Sequence, residues 1–429
     1  MPSQHGGGKP TRQERVVLPI VQRLLAMYSA QVIEASVWVF RPGVGWSFGK
    51  AAVDRIVARM DPTTTIKDRR EVYDLLLNTA PRGAFADARW VACANGDLDV
   101  ETLDLLPRSP ERVVPCPLPW AWDPGASSAR VEGYLASTAN GEQATFDRIE
   151  EMLGGAVSRE RLGLVFLLVG RAKKAGGTAS NGKSTLAEVA CHLVGDGNAC
   201  VMSVGQYGQP FLTKGLRSKL VAASTDTGVG GAPIPYASVE VLKKVATQDE
   251  IEADVKYQPD AVKFRPFATP IIAGNEIPKE LAADDGLRRR LVPIVLTGSF
   301  PQTGTSPADE LDNENDMSAL LVHAITGLRR LRQSGPTASS GAAAVVSTLA
   351  AAASTVRQWL TDTALDESAL EGMTVSSTFD GYKRWAAGAL AQPLCKSDFE
   401  AELQRLVPTL EIRKCRWNGS TAQRRWMIR

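Results

Sequence analysis

At 429 residues the chain is too long for one ordinary hydrophobic core, so two or three domains are expected. A hydrophobic fraction of 44% is that of a globular protein, and a net charge of +2 excludes a histone-like polycation while leaving room for a few cations along a nucleic-acid path. Six cysteines without a CxxC pair and only three histidines argue against a zinc site or a disulfide framework and fit a reducing compartment. The Gly-rich start carries no signal-peptide core, and the most apolar run, Leu162–Gly170, is too short for a bilayer. A cytoplasmic protein without membrane contact is the expectation, with a bacterial host cytoplasm as its setting.

Composition divides the chain into a polar tail (1–12), a first domain (13–153), a central α/β domain (154–334), a linker (335–355) and a small last domain (356–429). In the first domain, Arg15–Met27 and Gly49–Met60 have helical periodicity. Val37–Phe40 and Trp90–Ala94 read as strands, with Asn95-Gly96-Asp97 as a turn. Pro115, Pro117, Pro119 and Pro124 then impose extended, irregular chain. In the central domain, Leu164–Val169, Lys219–Ser224, Thr269–Ala273 and Leu291–Leu296 are short Val/Ile/Leu-rich runs of the kind found in parallel strands buried on both faces. Ser184–Val194 and Val239–Thr247 supply helices between them, which is an α/β nucleotide-binding pattern. The acidic stretch Asp309–Asp316 reads as a solvated loop.

Gly177-Thr-Ala-Ser180-Asn181-Gly182-Lys183-Ser184 fits G-x-x-x-x-G-K-S/T between an apolar strand and a helix, the context the phosphate-binding loop requires. Glycines let the backbone wrap phosphates, and the amides of the helix start face the negative charge. Lys183 is placed to reach the β- and γ-phosphates of ATP, and the Ser184 hydroxyl to ligate Mg²⁺. Hydrolysis needs more: an acid near the metal, a group that orients water and a cation for the transition state. Asp226 follows the Lys219–Ser224 strand, and Asn275 ends the Thr269–Asn275 run. Arg288, Arg289 and Arg290 abut the next strand, either as an arginine finger for a neighbouring subunit or as a solvated basic turn.

The order of these elements resembles the superfamily 3 helicases of phage and plasmid primase–helicase type, related to the poxvirus-type enzyme. Asn181-Gly182-Lys183-Ser184-Thr185 is similar to that family's NGKST loop, and the strand before Asp226 to its acid-bearing strand. Leu242-Lys-Lys with Gln248–Tyr257 is similar to the element that ends in a pore hairpin, and Gly274-Asn275-Glu-Ile-Pro-Lys279 to the sensor motif. Arg290, with Arg289, matches the finger position. Asn95–Pro110 with Trp122–Ala126 resembles the helicase-associated N-terminal domain. Phe379–Trp385 with Lys396–Phe399 resembles a C-terminal winged helix.

The resemblance implies an AAA+-like P-loop core between an N-terminal α+β collar domain and a winged-helix-like DNA-binding domain. It implies a homo-hexameric ring translocating on single-stranded and fork DNA. ATP and Mg²⁺ would be held by Gly177, Ser180, Asn181, Gly182, Lys183, Ser184, Thr185 and Asp226. Asn275 would act as sensor, and Arg290 would come from the adjacent subunit. Lys256 and Tyr257 would contact the strand. No room remains for a polymerase-type primase core, so priming would fall to a separate chain. Two departures stand out. Thr225 and Thr227 flank Asp226, so a second acid is missing there, leaving Glu188, Asp249, Glu250 and Glu276 as alternatives. The basic, Trp-bearing tail from Arg413 to Arg429 fits either a DNA-contacting wing or an amphipathic hairpin with a solvated face. An ATP-switched DNA-binding initiator that does not unwind is the rival reading.

Overall fold

The computed structural model describes residues 11–170, 181–225, 234–253, 262–274, 278, 280–300, 305–389, 393–417 and 421–429. Two compact units emerge, one of Met1–Glu276 with Arg290–Ala342, the other of Ile277–Arg289 with Ala343–Arg429.

At the centre of the first unit lies a five-stranded, all-parallel sheet: β1 (Val165–Gly170), β2 (Ala199–Val201), β3 (Val221–Ser224), β4 (Thr269–Gly274) and β5 (Leu291–Leu296). The strand order is β5-β1-β4-β3-β2. The chain thus leaves β1 for the far edge, returns through β3 and β4, and crosses to the other side of β1 for β5. β1, β3 and β4 are interior strands, and their apolar side chains are buried on both faces, which is why they read as unbroken apolar runs. β2 was not foreseen, because a three-residue edge strand with Val201 67% exposed carries little pattern.

Two prolines sit inside these strands, and the pairing explains both. Pro270 pairs with Ala222 of β3, whereas pairing with β1 begins only at Ile271, so its missing N–H interrupts no ladder bond to β1. Pro293 lies on edge strand β5, and its carbonyl accepts from the Arg148 guanidinium at 2.6 Å. That contact occupies an acceptor on an otherwise open edge.

Helices α1 (Gln143–Val157), α2 (Lys183–Val194), α3 (Tyr236–Thr247) and α4 (Glu314–Ser334) accompany the sheet. α1 and α4 pack backbone against backbone. A Cβ added at Gly154 would collide with the Leu328 amide and the Ala324 carbonyl, and one at Gly327 with the Glu150 carbonyl. The expected domain division after Leu153 therefore falls inside a helix. The apolar core is continuous across it, running from Leu98, Leu118 and Val131 through Leu153 to Phe166 and Leu321.

The acidic stretch is not a solvated loop, contrary to the sequence reading. It forms the helix Pro307–Leu311 and the start of α4, and Asp316 is buried. Asp316 accepts from Ser128 Oγ at 2.5 Å and pairs with Arg130 at 3.0 Å, so its charge is spent on the N-cap residue and first turn of Ala129–Ala139. The turn expected at Asn95–Asp97 lies one residue earlier, at Ala94-Asn95, because Cys93 pairs with Gly96. Asn95 is used structurally, its side chain bridging to both the N–H and the carbonyl of Trp122. The N-terminal region also holds an antiparallel sheet of Ser29–Ile33, Ser36–Arg41 and Gly45–Phe48. Helices Lys50–Met60 and Ile66–Thr79 cover it, the latter opened by a Thr65/Asp68 capping box.

The expected linker is largely the helix Ser340–Ala353. In the second unit, helices Thr355–Thr363, Val375–Gly388 and Lys396–Leu406 and the hairpin Leu410–Cys415/Gln423–Ile428 enclose Trp359, Tyr382, Phe399 and Trp426. Tyr382 and Phe399 stack at 4.8 Å. The hairpin is amphipathic: Arg413, Lys414, Arg416 and Arg424 are exposed, while Arg425 is buried and donates to the Gly372 carbonyl at 2.6 Å. No described helix is long and apolar enough to cross a membrane.

Candidate nucleotide site at the carboxyl end of the sheet

In open α/β sheets, ligands bind beyond the carboxyl ends of the strands, at the point where the strand order reverses. Here that point is the end of β1, flanked by β4 and β5. Asn181, Gly182 and Lys183 lie there, at the amino terminus of α2. Gly182 caps the helix in the left-handed conformation (φ 75°), which a glycine adopts without strain. No side chain caps the helix, so its first amides remain available to an anion.

Asn181 is buried, and its Nδ2 donates to the Gly298 carbonyl at 2.6 Å, tying the loop to the chain just past β5. Its Oδ1 is buried without a hydrogen-bond partner among the described residues. Lys183 is only 7% exposed, and burial holds its ammonium below the ordinary lysine value. Among the described residues no carboxylate pairs with it. A buried ammonium without a counter-charge is costly, and an anionic ligand at this spot would supply the missing partner. Gly170, the last residue of β1, makes the arrangement possible. A Cβ there would stand 2.5 Å from Asn181 Oδ1 and 2.7 Å from Lys183 Nζ. Nothing local in the sequence singles out Gly170, since its role arises from a loop that returns over the strand end. Ser184 is exposed in the first turn of α2, and Thr185 is half-buried.

Of the remaining sequence candidates, Gly177, Ser180, Asp226, Lys256, Tyr257, Asn275 and Glu276 lie outside the described residues. β3 ends at Ser224 and β4 at Gly274, both at the carboxyl edge of the sheet. Arg290 precedes β5, and its carbonyl accepts from Val165 N at 2.8 Å at the start of β1. It therefore stands at the amino edge, a six-residue strand, or ~20 Å, from the carboxyl edge of its own chain. Arg289 is exposed, its Nε donating to the Asp285 carbonyl at 3.1 Å.

Asp249, an alternative second acid, is bonded to Arg161 at 2.6 Å and to Thr247 at 2.6 Å. Because Arg161 leads into β1, Asp249 belongs to the amino side of the sheet and is removed from the lysine. Burial raises the Glu34 pKa and the charge of Glu250 adds to that rise, so Glu250 faces the turn of the N-terminal sheet that carries Glu34. Glu188 accepts from Ser306 Oγ at 3.1 Å and gathers with His192 and Asp309, their ligand atoms within 4.8 Å of one another.

Residues 175–290 match the family of unknown function DUF5906, a little over a quarter of the chain and the part that contains the loop and β2 to β4. No curated protein matches. Among solved structures, the apo C-terminal region of NrS-1 (305-718) is similar at 13% identity, covering 97% of this chain and 99% of that one with a TM-score of 0.52. The A form of the same region gives a TM-score of 0.50 at 13% identity, over 95% of this chain and 98% of the other. The chain therefore shares, over nearly its whole length, the α/β fold of the NrS-1 C-terminal region.

Proposed function

We propose that the chain is an ATP-driven DNA helicase of the superfamily 3 type, acting as a ring in the replication of a phage, plasmid or other mobile element. The observation that carries this reading is Lys183, a buried ammonium with no described counter-charge, at the uncapped start of α2 beside the end of β1. Triphosphate is the anion that this arrangement suits, and the residues present fit it: a left-handed Gly182, free helix amides and a Gly170 that clears the space.

In this reading Lys183 binds the β- and γ-phosphates, and the Ser184 hydroxyl with Asp226 holds Mg²⁺, which neutralises phosphate charge. Asn275 orients the attacking water. Arg290 serves the site of the adjacent subunit, which its place at the amino edge favours over service to its own. Lys256 meets backbone phosphate and Tyr257 stacks on a base.

ATP hydrolysis measured with and without single-stranded DNA, for the natural chain and Lys183→Ala, tests the reading. Strong stimulation that vanishes in the variant is expected. Weak hydrolysis in both would sink the motor reading in favour of an ATP-switched initiator, the alternative to which the lone acid between Thr225 and Thr227 points.

A further inference from the structure

The hairpin that joins Ser29–Ile33 to Ser36–Arg41 turns through Glu34 and Ala35, at φ 46° and 53°. Two-residue turns with both φ values positive ordinarily take Asn-Gly or Gly-Gly, so neither residue is there for local reasons. Strain of this kind persists only where surrounding contacts over-determine it, and it gathers at sites of function.

The contacts are specific. The half-buried Glu34 carboxylate accepts from the backbone N–H of Arg265 at 3.2 Å, and the Arg217 guanidinium donates to the Glu34 carbonyl. A second grip comes from the same sheet. Val32 bonds to Pro81 and Gly83, which aligns the segment leading to Phe85. Phe85 meets Trp38 edge-on at 5.1 Å and Phe267 edge-on at 6.1 Å. Both grips fall on Arg265–Ala268, where Pro266, Phe267 and Ala268 are buried. That connector joins two parts with different tasks. Before it is the ribbon Ile251–Ala253/Val262–Phe264, whose intervening sequence holds Lys256 and Tyr257. After it is β4, which runs to Gly274, one residue short of Asn275.

We propose that Glu34 is a positioning residue: by fixing the Arg265–Ala268 connector it couples the DNA-contacting ribbon to the strand that presents Asn275 to ATP. The inference rests on the function proposed above and adds that the N-terminal domain takes part in the coupling between DNA and hydrolysis.

The test uses the full chain with oligo-dT as probe, comparing Glu34→Ala, Glu34→Gln and Phe267→Leu. Glutamine keeps an acceptor for the Arg265 amide, and leucine keeps bulk while removing the ring contact. Glu34→Ala is expected to leave nucleotide affinity and basal hydrolysis within about twofold while cutting maximal DNA stimulation about fivefold or more. Glu34→Gln should recover most of the stimulation, and Phe267→Leu should lower it without touching Glu34. Hydrogen exchange at Arg265 reads the clamp directly and should quicken in Glu34→Ala alone. Faster exchange with undiminished stimulation would reduce Glu34 to a structural contact and overturn the proposal, as would slow exchange in Glu34→Ala. Should Glu34→Ala fail to fold, Phe267→Leu decides, and undiminished stimulation there overturns the proposal. If the natural chain hydrolyses ATP through Lys183 but shows no DNA stimulation, the helicase reading itself fails and the coupling falls with it, whatever the exchange shows.

Discussion

Replacing Gly170 by alanine separates ligand chemistry from folding. The new methyl would stand 2.5 Å from Asn181 Oδ1 and 2.7 Å from Lys183 Nζ, so one or both must retreat by about 1 Å to reach ordinary contact. The lysine ammonium is the end of a flexible chain and can swing aside. The asparagine is held through its Nδ2 by the Gly298 carbonyl and resists. The cost to folding is accordingly small, about 1 kcal/mol. The cost to the site is larger, because both displaced atoms are those that would face phosphate, and a misplacement of about 1 Å at a reacting centre costs on the order of 100-fold. Titration with a fluorescent ATP analogue, paired with thermal melts, reads the two separately. A melting temperature within a few degrees of the parent, with affinity reduced tenfold to about 100-fold, is expected. Unchanged affinity would refute the argument, since it would mean that Asn181 and Lys183 do not form the phosphate site.

Gly327→Ala makes the opposite case: its methyl would collide with the Glu150 carbonyl of α1 rather than with a side-chain end, so a loss of about 3 kcal/mol or more is expected in urea unfolding. Arg290→Ala should abolish hydrolysis while leaving nucleotide binding nearly intact. Equal loss of both in a monomeric preparation would reject the finger assignment. His323 bonds Glu150 at 2.7 Å and Glu132 at 2.9 Å through its two ring nitrogens. Burial disfavours the charged ring, but these two carboxylates outweigh it and raise the pKa above the ordinary value. A raised pKa contributes stability that is full below the unfolded value of about 6.5 and is lost as pH climbs through the folded value. His323→Gln should therefore cost more stability at pH 5.5 than at pH 8.5, and a pH-independent difference in urea midpoints would exclude the charged bridge.

Much of the core was legible in the sequence because it obeys local rules. Interior parallel strands are buried on both faces, so β1, β3 and β4 announce themselves as short, mostly apolar runs, and the edge strand β5 is also rich in Val, Ile and Leu. The phosphate-loop pattern around Asn181–Ser184 needs only a strand before it and a helix after it, and both are read from periodicity. Tertiary structure decided what depends on residues distant in the chain. Asp316 looked like part of a solvated acidic loop until Ser128 and Arg130, nearly two hundred positions away, gave its charge a buried partner. Gly154 and Gly327 carry no local signal, since their purpose is the approach of two helices that only the packed fold brings together. The same holds for the Glu34–Arg265 bond and for Arg290, whose distance from its own phosphate loop follows from strand order rather than from spacing along the chain. Periodicity records how a segment meets water or core, one face at a time; which segments become neighbours is set by packing the whole chain at once.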